Sequence, residues 1–178
     1  MNGGGRMRWR RAAVIVMTSA VLAHVLSIML VPTWVGHVAM TRASELAGGP
    51  NTLLRAPPIS PQDRTIRRPS SDLLYSVCVI DTSNGPVEVQ LAPTPGYASV
   101  SVYNGQLDNV LTQNNADAPE WPIRVRFGFG AQQTELSNHM ASGRYIALLR
   151  HLRAASPELN IATTNTNKDV CRPVPAAP

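Results

Sequence analysis

The fold is indicated most directly by residues 73–91, LLYSVCVIDTSNGPVEVQL. The run over 73–80 is apolar and rich in β-branched residues, which is typical of a buried strand. Residues 83–85, SNG, form a turn signal. Apolar and polar residues then alternate over 87–91, as in a strand with one buried face. The stretch therefore predicts a β-hairpin.

The same alternation recurs along the rest of the chain. It predicts further strands over residues 97–103, 107–112, 123–127 and 144–150. The 15 prolines and 12 glycines favour many turns between strands. We therefore predict a mainly β fold, either a small antiparallel sheet or a jelly-roll-like sandwich.

A short C-terminal helix is predicted from Pro157 to about Lys168. Ser156 fits the N-cap position, and proline is well tolerated in the first helical turn. Glu158 would place a negative charge near the positive end of the helix dipole. The predicted helix would follow the last of these strands.

One long apolar segment lies near the N-terminus. Residues 12–31 are 20 residues without a single Asp, Glu, Lys or Arg. As a helix they would span about 30 Å, the thickness of the hydrocarbon layer, with Trp9 and Trp34 near its two interfaces. We predict a transmembrane anchor over 12–34, in contact with the lipid bilayer. A cleavable signal peptide is the alternative, although its apolar region is usually shorter, about 7 to 15 residues.

The charge distribution predicts the orientation of this anchor. The net charge is +5, and four arginines precede the span, at positions 6, 8, 10 and 11. By the positive-inside rule, residues 1–11 form a cytoplasmic tail at an inner (plasma) membrane, and the C-terminal domain is periplasmic or otherwise extracytoplasmic. The rest of the chain carries 12 Lys and Arg against 11 Asp and Glu, so we expect no nucleic-acid partner.

Residues 35–71 are predicted to form a juxtamembrane segment and a Pro-rich linker. Small residues at helical spacing follow Pro32, so the anchor helix either continues past that proline with a kink or restarts after it. Four prolines between residues 55 and 71 are typical of an extended linker. The exported β-rich domain is expected over 72–172, with a flexible tail at 173–178.

The chain has two cysteines, Cys78 on the first predicted strand and Cys171 just before the tail. An exported domain folds in an oxidising compartment, where an even number of cysteines is typical of disulfide bonding. We predict a disulfide between Cys78 and Cys171. Two buried free thiols, or a dimer linked through Cys171, are the alternatives.

No residue pattern in the chain indicates a specific chemistry. Metal-ligand spacing is absent among the four histidines, which are His24, His37, His139 and His151. Residues 128–130, GFG, lack the third glycine of a dinucleotide fingerprint. We therefore expect no metal and no cofactor. His139, in a predicted polar loop over 128–143 with Glu135 and Asn138, is the one histidine that we would test as catalytic.

The residues between Asp72 and Asn115 resemble a known bacterial family. The resemblance is carried by LYSVCV at 74–79, Asp81, GPV at 85–87, Tyr97, Ser99, Asp108 and Asn109. These residues resemble the family called domain of unknown function 1254, whose short members have an N-terminal membrane helix similar to residues 24–32. Cys171, placed before a proline-bearing tail, is similar too.

The resemblance implies a β-rich fold with jelly-roll-like sheets and a protein partner from the sister family, domain of unknown function 1214. It also implies binding residues at Tyr97, Asp108 and Asn109. The chain departs from its relatives at nearby positions, which are Ala98, Val110, Leu111 and Asn115. Relatives favour aromatic residues at the first three and an acid at the fourth, so the implied pocket is altered here.

Two functions from different classes follow from these observations. The first is a membrane-tethered cell-envelope module that binds or scaffolds another envelope protein. The second is a small envelope hydrolase that uses a loop histidine and a carboxylate. A purely structural membrane component is a third reading. The absence of a recognisable nucleophile, metal or cofactor motif favours the binding module.

Overall fold

The computed structural model of the chain describes residues 3–57, 70, 72–117, 122–128, 139–152 and 166–175. Within these residues one helix, α1 (Gly3–Ala47), precedes nine strands. The strands are β1 (Leu53–Arg55), β2 (Leu73–Asp81), β3 (Val87–Leu91), β4 (Ala98–Tyr103), β5 (Asn109–Asn114), β6 (Ile123–Phe127), β7 (His139–Met140), β8 (Arg144–Leu152) and β9 (Val170–Pro173). Most of the predicted C-terminal helix, residues 157–165, and most of the Pro-rich linker lie outside the described residues.

The strands form two sheets that share one apolar core. The five-stranded sheet has the order β1-β2-β8-β4-β5, and the four-stranded sheet has the order β7-β6-β3-β9. Neighbouring strands are antiparallel except β6 and β7. The largest buried apolar side chains of the core come from both sheets and include Phe127, Ile80, Leu91 and Leu149. The predicted mainly β fold is confirmed.

The predicted hairpin over residues 73–91 is wrong, although both of its strands form. β2 pairs with β8 along its whole length, whereas β3 pairs with β6 and β9 in the other sheet. The residues between β2 and β3 therefore carry the chain from one sheet to the other. The physical reason is burial: in opposite sheets, the inward side chains of β2 (Cys78, Ile80) and of β3 (Val87, Val89) enclose one core. A lone hairpin would leave them on one open face.

Helix α1 continues through Pro32 without a break and is long and apolar enough to cross a membrane. Its apolar side chains are exposed over the first two thirds; Leu22 and Leu30, for example, are about as exposed as Met29. Near its C-terminal end, Gly36 and Met40 become buried where the helix packs on the five-stranded sheet. The helix thus has an exposed apolar part and a part that belongs to the folded domain.

The helix ends in a way that fixes it to the sheet. Gly48 and Gly49 follow Ala47 with positive φ angles of 81° and 140°, and the Gly49 N–H donates to Ser44 O at 2.8 Å. Asn51 then donates its N–H to Val79 O at 2.7 Å, and its side-chain amide exchanges two hydrogen bonds with the backbone of Asp81. β1 follows at once and pairs with β2, so residues 53–55, which the sequence predicts as part of the linker segment, are a strand of the sheet.

Candidate functional site

The structure does not bring the three implied binding residues together. Tyr97 lies immediately before β4 and is 43% exposed, whereas Asp108 lies in the turn after β4 and Asn109 begins β5. β4 has six residues, so the two groups lie about 20 Å apart at opposite ends of the strand. Any binding role therefore falls to Tyr97 alone or to Asp108 with Asn109.

Asp108 and Asn115 both form hydrogen bonds that order the loops beside β4. The Asn104 side-chain carbonyl accepts the N–H groups of Gln106 and Asp108 at 2.9 Å, and its amide donates to the Asp108 carboxylate at 3.1 Å. At the other end, the Asn115 side chain donates to Gly96 O at 2.8 Å and accepts from Ala98 N at 3.1 Å. These bonds order the two ends of β4.

His139 lies on a strand and not in a loop as predicted. It begins β7, where its backbone pairs with that of Arg126 in parallel register. A short parallel pairing of two residues leaves little periodicity for a sequence pattern to reveal. The neighbours with which it was grouped, Glu135 and Asn138, lie outside the described residues.

A second histidine, His151, forms the one buried His–carboxylate pair among the described residues. Its Nε2 lies 2.9 Å from Asp169 Oδ2 and 3.1 Å from Oδ1, and both side chains are fully buried. Asp169 Oδ1 also accepts the N–H of Ala92 at 2.8 Å. The other ring nitrogen of His151, Nδ1, is buried without a hydrogen-bond partner. The carboxylate therefore holds the proton on Nε2 and orients the ring.

Sequence reasoning missed this pair, although one signal was present. His151 continues the inward-facing positions of β8 after Ala147 and Leu149, so its burial follows from strand alternation. Its partner lies 18 residues further on, across a segment outside the described residues. Both side chains are fully buried, so a substrate cannot reach the pair. It connects β8 of the five-stranded sheet to the turn before β9 of the four-stranded sheet.

The turn that carries Asp169 is held from outside by Arg55 of β1. The guanidinium group donates to the carbonyl oxygens of Thr166 at 3.0 Å, Asn167 at 3.2 Å and Asp169 at 3.0 Å. A planar guanidinium group suits this arrangement because its donors diverge in a fixed fork. Arg55 thereby ties the first strand of the domain to the turn that leads into the last one.

Cys78 and Cys171 lie at disulfide-bonding distance, with Cα atoms 6.4 Å apart. Cys78 is on β2 of the five-stranded sheet and Cys171 on β9 of the four-stranded sheet, and both belong to the core between the sheets. The geometry supports the predicted pairing within one chain. Together with the His151–Asp169 pair, it joins the C-terminal strand to the opposite sheet.

The outer surface of β6, β3 and β9 in the four-stranded sheet carries several charged side chains. We call it the arginine face, and it consists of Glu88, Gln90, Arg124, Arg126, Val170 and Arg172. The side chains of Arg126 and Arg172 are 41% and 60% exposed, and Arg124 is exposed as well. Three arginines against one glutamate give this surface an excess of positive charge.

Asp81 lies where β2 meets the end of α1. The Ser83 N–H donates to Asp81 Oδ1 at 3.0 Å, and Arg144 Nε lies 3.5 Å from Oδ2. The Ser83 backbone and side-chain hydrogen bonds, with a smaller contribution from Arg144, lower the pKa of this carboxyl below its ordinary value. The charged carboxylate therefore stabilises the turn that follows β2 and the contact of that turn with Arg144 of β8.

Comparison with known proteins agrees with the resemblance seen in the sequence. Residues 50–126 match the sequence model of the family described as Protein of unknown function (DUF1254). A similar solved structure is that of the VPA0106 protein from Vibrio parahaemolyticus, with 14% identity, a TM-score of 0.47, and coverage of 61% of this chain and 29% of that chain. This chain therefore spans less than a third of the length of that protein. No functionally curated protein matches the sequence.

Proposed function

Starting from a chain whose residues 50–126 match the DUF1254 family, we propose that this protein is a membrane-tethered cell-envelope module that binds or scaffolds another envelope protein. Residues 1–11 lie in the cytoplasm, residues 12–34 span the inner membrane, and the β-rich domain, with its core over 72–172, lies outside. The observation that carries the proposal is that α1 supplies both the apolar span and a packed element of the domain.

This double role of α1 restricts the domain in space. Gly36 is buried only two residues after Trp34, which the proposal places at the membrane interface. The helix then runs about 17 Å to Ala47 along the five-stranded sheet. A domain fixed in this way stands against the membrane surface in a defined orientation, which favours a partner that is itself bound to or near the membrane.

The four-stranded sheet supports a binding role because its outer surface is free of α1. The helix packs on the five-stranded sheet, on the opposite side of the core. The sister family of unknown function 1214, implied by the resemblance, is our proposed source of the partner. The hydrolase alternative needs a histidine and a carboxylate that a substrate can reach. In the described part of the chain, the one buried histidine–carboxylate pair is His151 with Asp169, and a substrate cannot reach it.

Co-purification of the full chain from mildly solubilised membranes tests the proposal. We expect one protein to be retained in stoichiometric amount. A matched control replaces residues 1–31 with an unrelated transmembrane segment, and it should retain the same partner because the domain and the packed part of α1 are unchanged. Retention of a small molecule or a metal ion, with no protein, would favour the hydrolase.

The orientation and the anchor are tested separately. A reporter that works only after export, fused behind Pro178, should be active, because four arginines precede the span. Activity of a cytoplasmic reporter at the same position would contradict the orientation. N-terminal sequencing should find residues 7–11 in the membrane-bound protein, whereas a start beyond Met29 would show a cleaved signal.

A further inference from the structure

The charged side chains of the arginine face hold one another in place. Glu88 lies in the middle strand with its side chain 9% exposed, 3.1 Å from Arg126 Nε and 3.6 Å from an Nη of Arg172. These two arginines flank it on the neighbouring strands, β6 and β9. The nearly buried carboxylate thus fixes the guanidinium groups on either side.

A second contact positions the third arginine. Arg124 Nε donates to Gln90 Oε1 at 3.1 Å, one step along the same pair of strands. Arg124 and Arg172 are each already held through part of the guanidinium group, so less side-chain entropy is lost when their other N–H groups bind a partner. The face is therefore prepared for binding before a partner arrives.

The charge of the face contrasts with the rest of the domain. The chain after residue 35 is nearly neutral, with 12 Lys and Arg against 11 Asp and Glu. Three of those arginines lie together on one sheet surface with a single glutamate, Glu88. The local positive charge would attract an acidic partner. Charge complementarity of this kind contributes to specificity and to the rate of association.

We propose that the arginine face binds an acidic surface of a partner protein, with carboxylates paired to Arg124 and Arg172. This inference rests on the proposed function as a protein-binding module. A planar guanidinium group binds a carboxylate through two parallel N–H donors, which suits a flat sheet surface. None of the six residues that define the face is aromatic, so these six cannot supply the stacking contacts typical of single-stranded nucleic-acid sites.

The position of the face also argues against the bilayer as its target. The chain enters the domain through the buried part of α1, which lies on the five-stranded sheet. The arginine face belongs to the other sheet, across the core from that contact. A protein that stands beside the anchored domain can reach it without displacing α1.

The test measures binding of fluorescently labelled poly-L-glutamate to the full chain in nanodiscs of zwitterionic lipid. The variant R124Q/R172Q removes two charges and leaves the Arg126–Glu88 contact in place, so the buried carboxylate keeps a partner. The control R42Q/K168Q removes two charges from exposed residues outside the face. Circular dichroism and thermal denaturation check that both variants remain folded.

We expect R124Q/R172Q to weaken binding by about tenfold and the control to leave it nearly unchanged, since each exposed ion pair contributes up to about 1 kcal/mol. Binding of the wild type should also weaken as salt is raised.

An equal loss in the control overturns the inference, because net charge and not the face would then explain binding. Arginine-dependent binding to phosphatidylglycerol vesicles without binding to polyglutamate overturns it in favour of lipid. Self-association that R124Q/R172Q abolishes overturns it in favour of a second copy of the chain.

Co-purification separates this inference from the proposed function. If the wild type retains a stoichiometric protein and R124Q/R172Q loses it, the inference is supported. If the wild type and R124Q/R172Q retain the protein equally, the role of the arginine face is contradicted, whereas the proposed function as a binding module is not. If the wild type retains no protein, the proposed function fails and the inference fails with it.

Discussion

The Nε2 of His151 lies 2.9 Å from a carboxylate oxygen of Asp169 in a part of the core that solvent does not reach. His151 is the second-last residue of β8 in the five-stranded sheet, and Asp169 directly precedes β9 of the other sheet. The contact therefore spans the sandwich. Asp169 lies two residues before Cys171. The His151–Asp169 contact and the Cys78–Cys171 pair therefore both attach the C-terminal strand to the opposite sheet.

Replacing Asp169 with alanine should lower the free energy of unfolding by about 3 to 5 kcal/mol. The change leaves the His151 ring and the Ala92 N–H buried without their acceptor, and an unpaired buried polar group is costly. Guanidinium denaturation followed by circular dichroism measures the loss. The control Asp117→Ala changes an exposed turn and should stay within about 0.5 kcal/mol of wild type. Equal effects of the two changes would contradict a stabilising role for the pair.

Cys78 and Cys171 should be covalently joined in protein taken from its native compartment. The bond would close a loop with a sequence separation of 93, for which the chain-entropy model gives about 4 to 5 kcal/mol. Replacing either cysteine with serine should cost about 2 to 5 kcal/mol and free the other thiol. Thiol labelling of the denatured, unreduced protein decides the question. Two reactive thiols per chain would rule the bond out, and a dimer that is lost on reduction would show a bond between chains.

Gly36 should be needed for α1 to pack on the domain. A Cβ at this position would overlap the carbonyl group of Gly105 and lie 3.6 Å from Leu107 Cγ. We expect Gly36→Ala to loosen this contact and to raise the rate of trypsin cleavage at the exposed Arg42 by about tenfold, because overpacking costs about 1 to 3 kcal/mol. Gly105→Ala is the matched control, since a Cβ there meets nothing within 4 Å. Unchanged protection of Arg42 in Gly36→Ala would show that the helix does not need this close approach.

Asp81 should make the stability of the domain depend on pH in the acid range. Its pKa is lowered in the folded state, so its contribution is present above its ordinary value of 3.8 and is lost as the pH falls through the folded-state pKa. Asp81→Asn should therefore flatten the change in denaturation midpoint below about pH 4. Arg144→Gln should keep most of that change, because Arg144 is the weakest of the causes that lower the pKa. Parallel curves for wild type and Asp81→Asn would contradict this role.

Much of the strand content could be predicted because it depends on local pattern. The predicted strand over 87–91 is confirmed with the same bounds, since alternation with a period of two shows directly which side chains face the core. The predicted strand over 123–127 is confirmed for the same reason. The long apolar segment near the N-terminus is equally local, and it forms the exposed part of α1.

Pairing between strands could not be predicted in the same way. The turn at 83–85 has hairpin residues, yet the chain there passes between sheets, because the competing partners of β2 and β3 lie far away in sequence. β1 is only three residues long and adjoins a Pro-rich segment, so it has too little pattern to stand out. Its pairing depends on β2 offering a free edge.

The sequence by itself determined an apolar N-terminal helix, a set of strands with buried faces and two cysteines with one possible partner each within the chain. Each of these follows from residue spacing or residue count. Only the tertiary structure decided that His151 meets Asp169, that Arg55 binds the turn before β9, and that three arginines share one sheet surface. Such contacts depend on how distant strands pair and face one another, and the free energy that selects those pairings comes from burying both sheets around a single core.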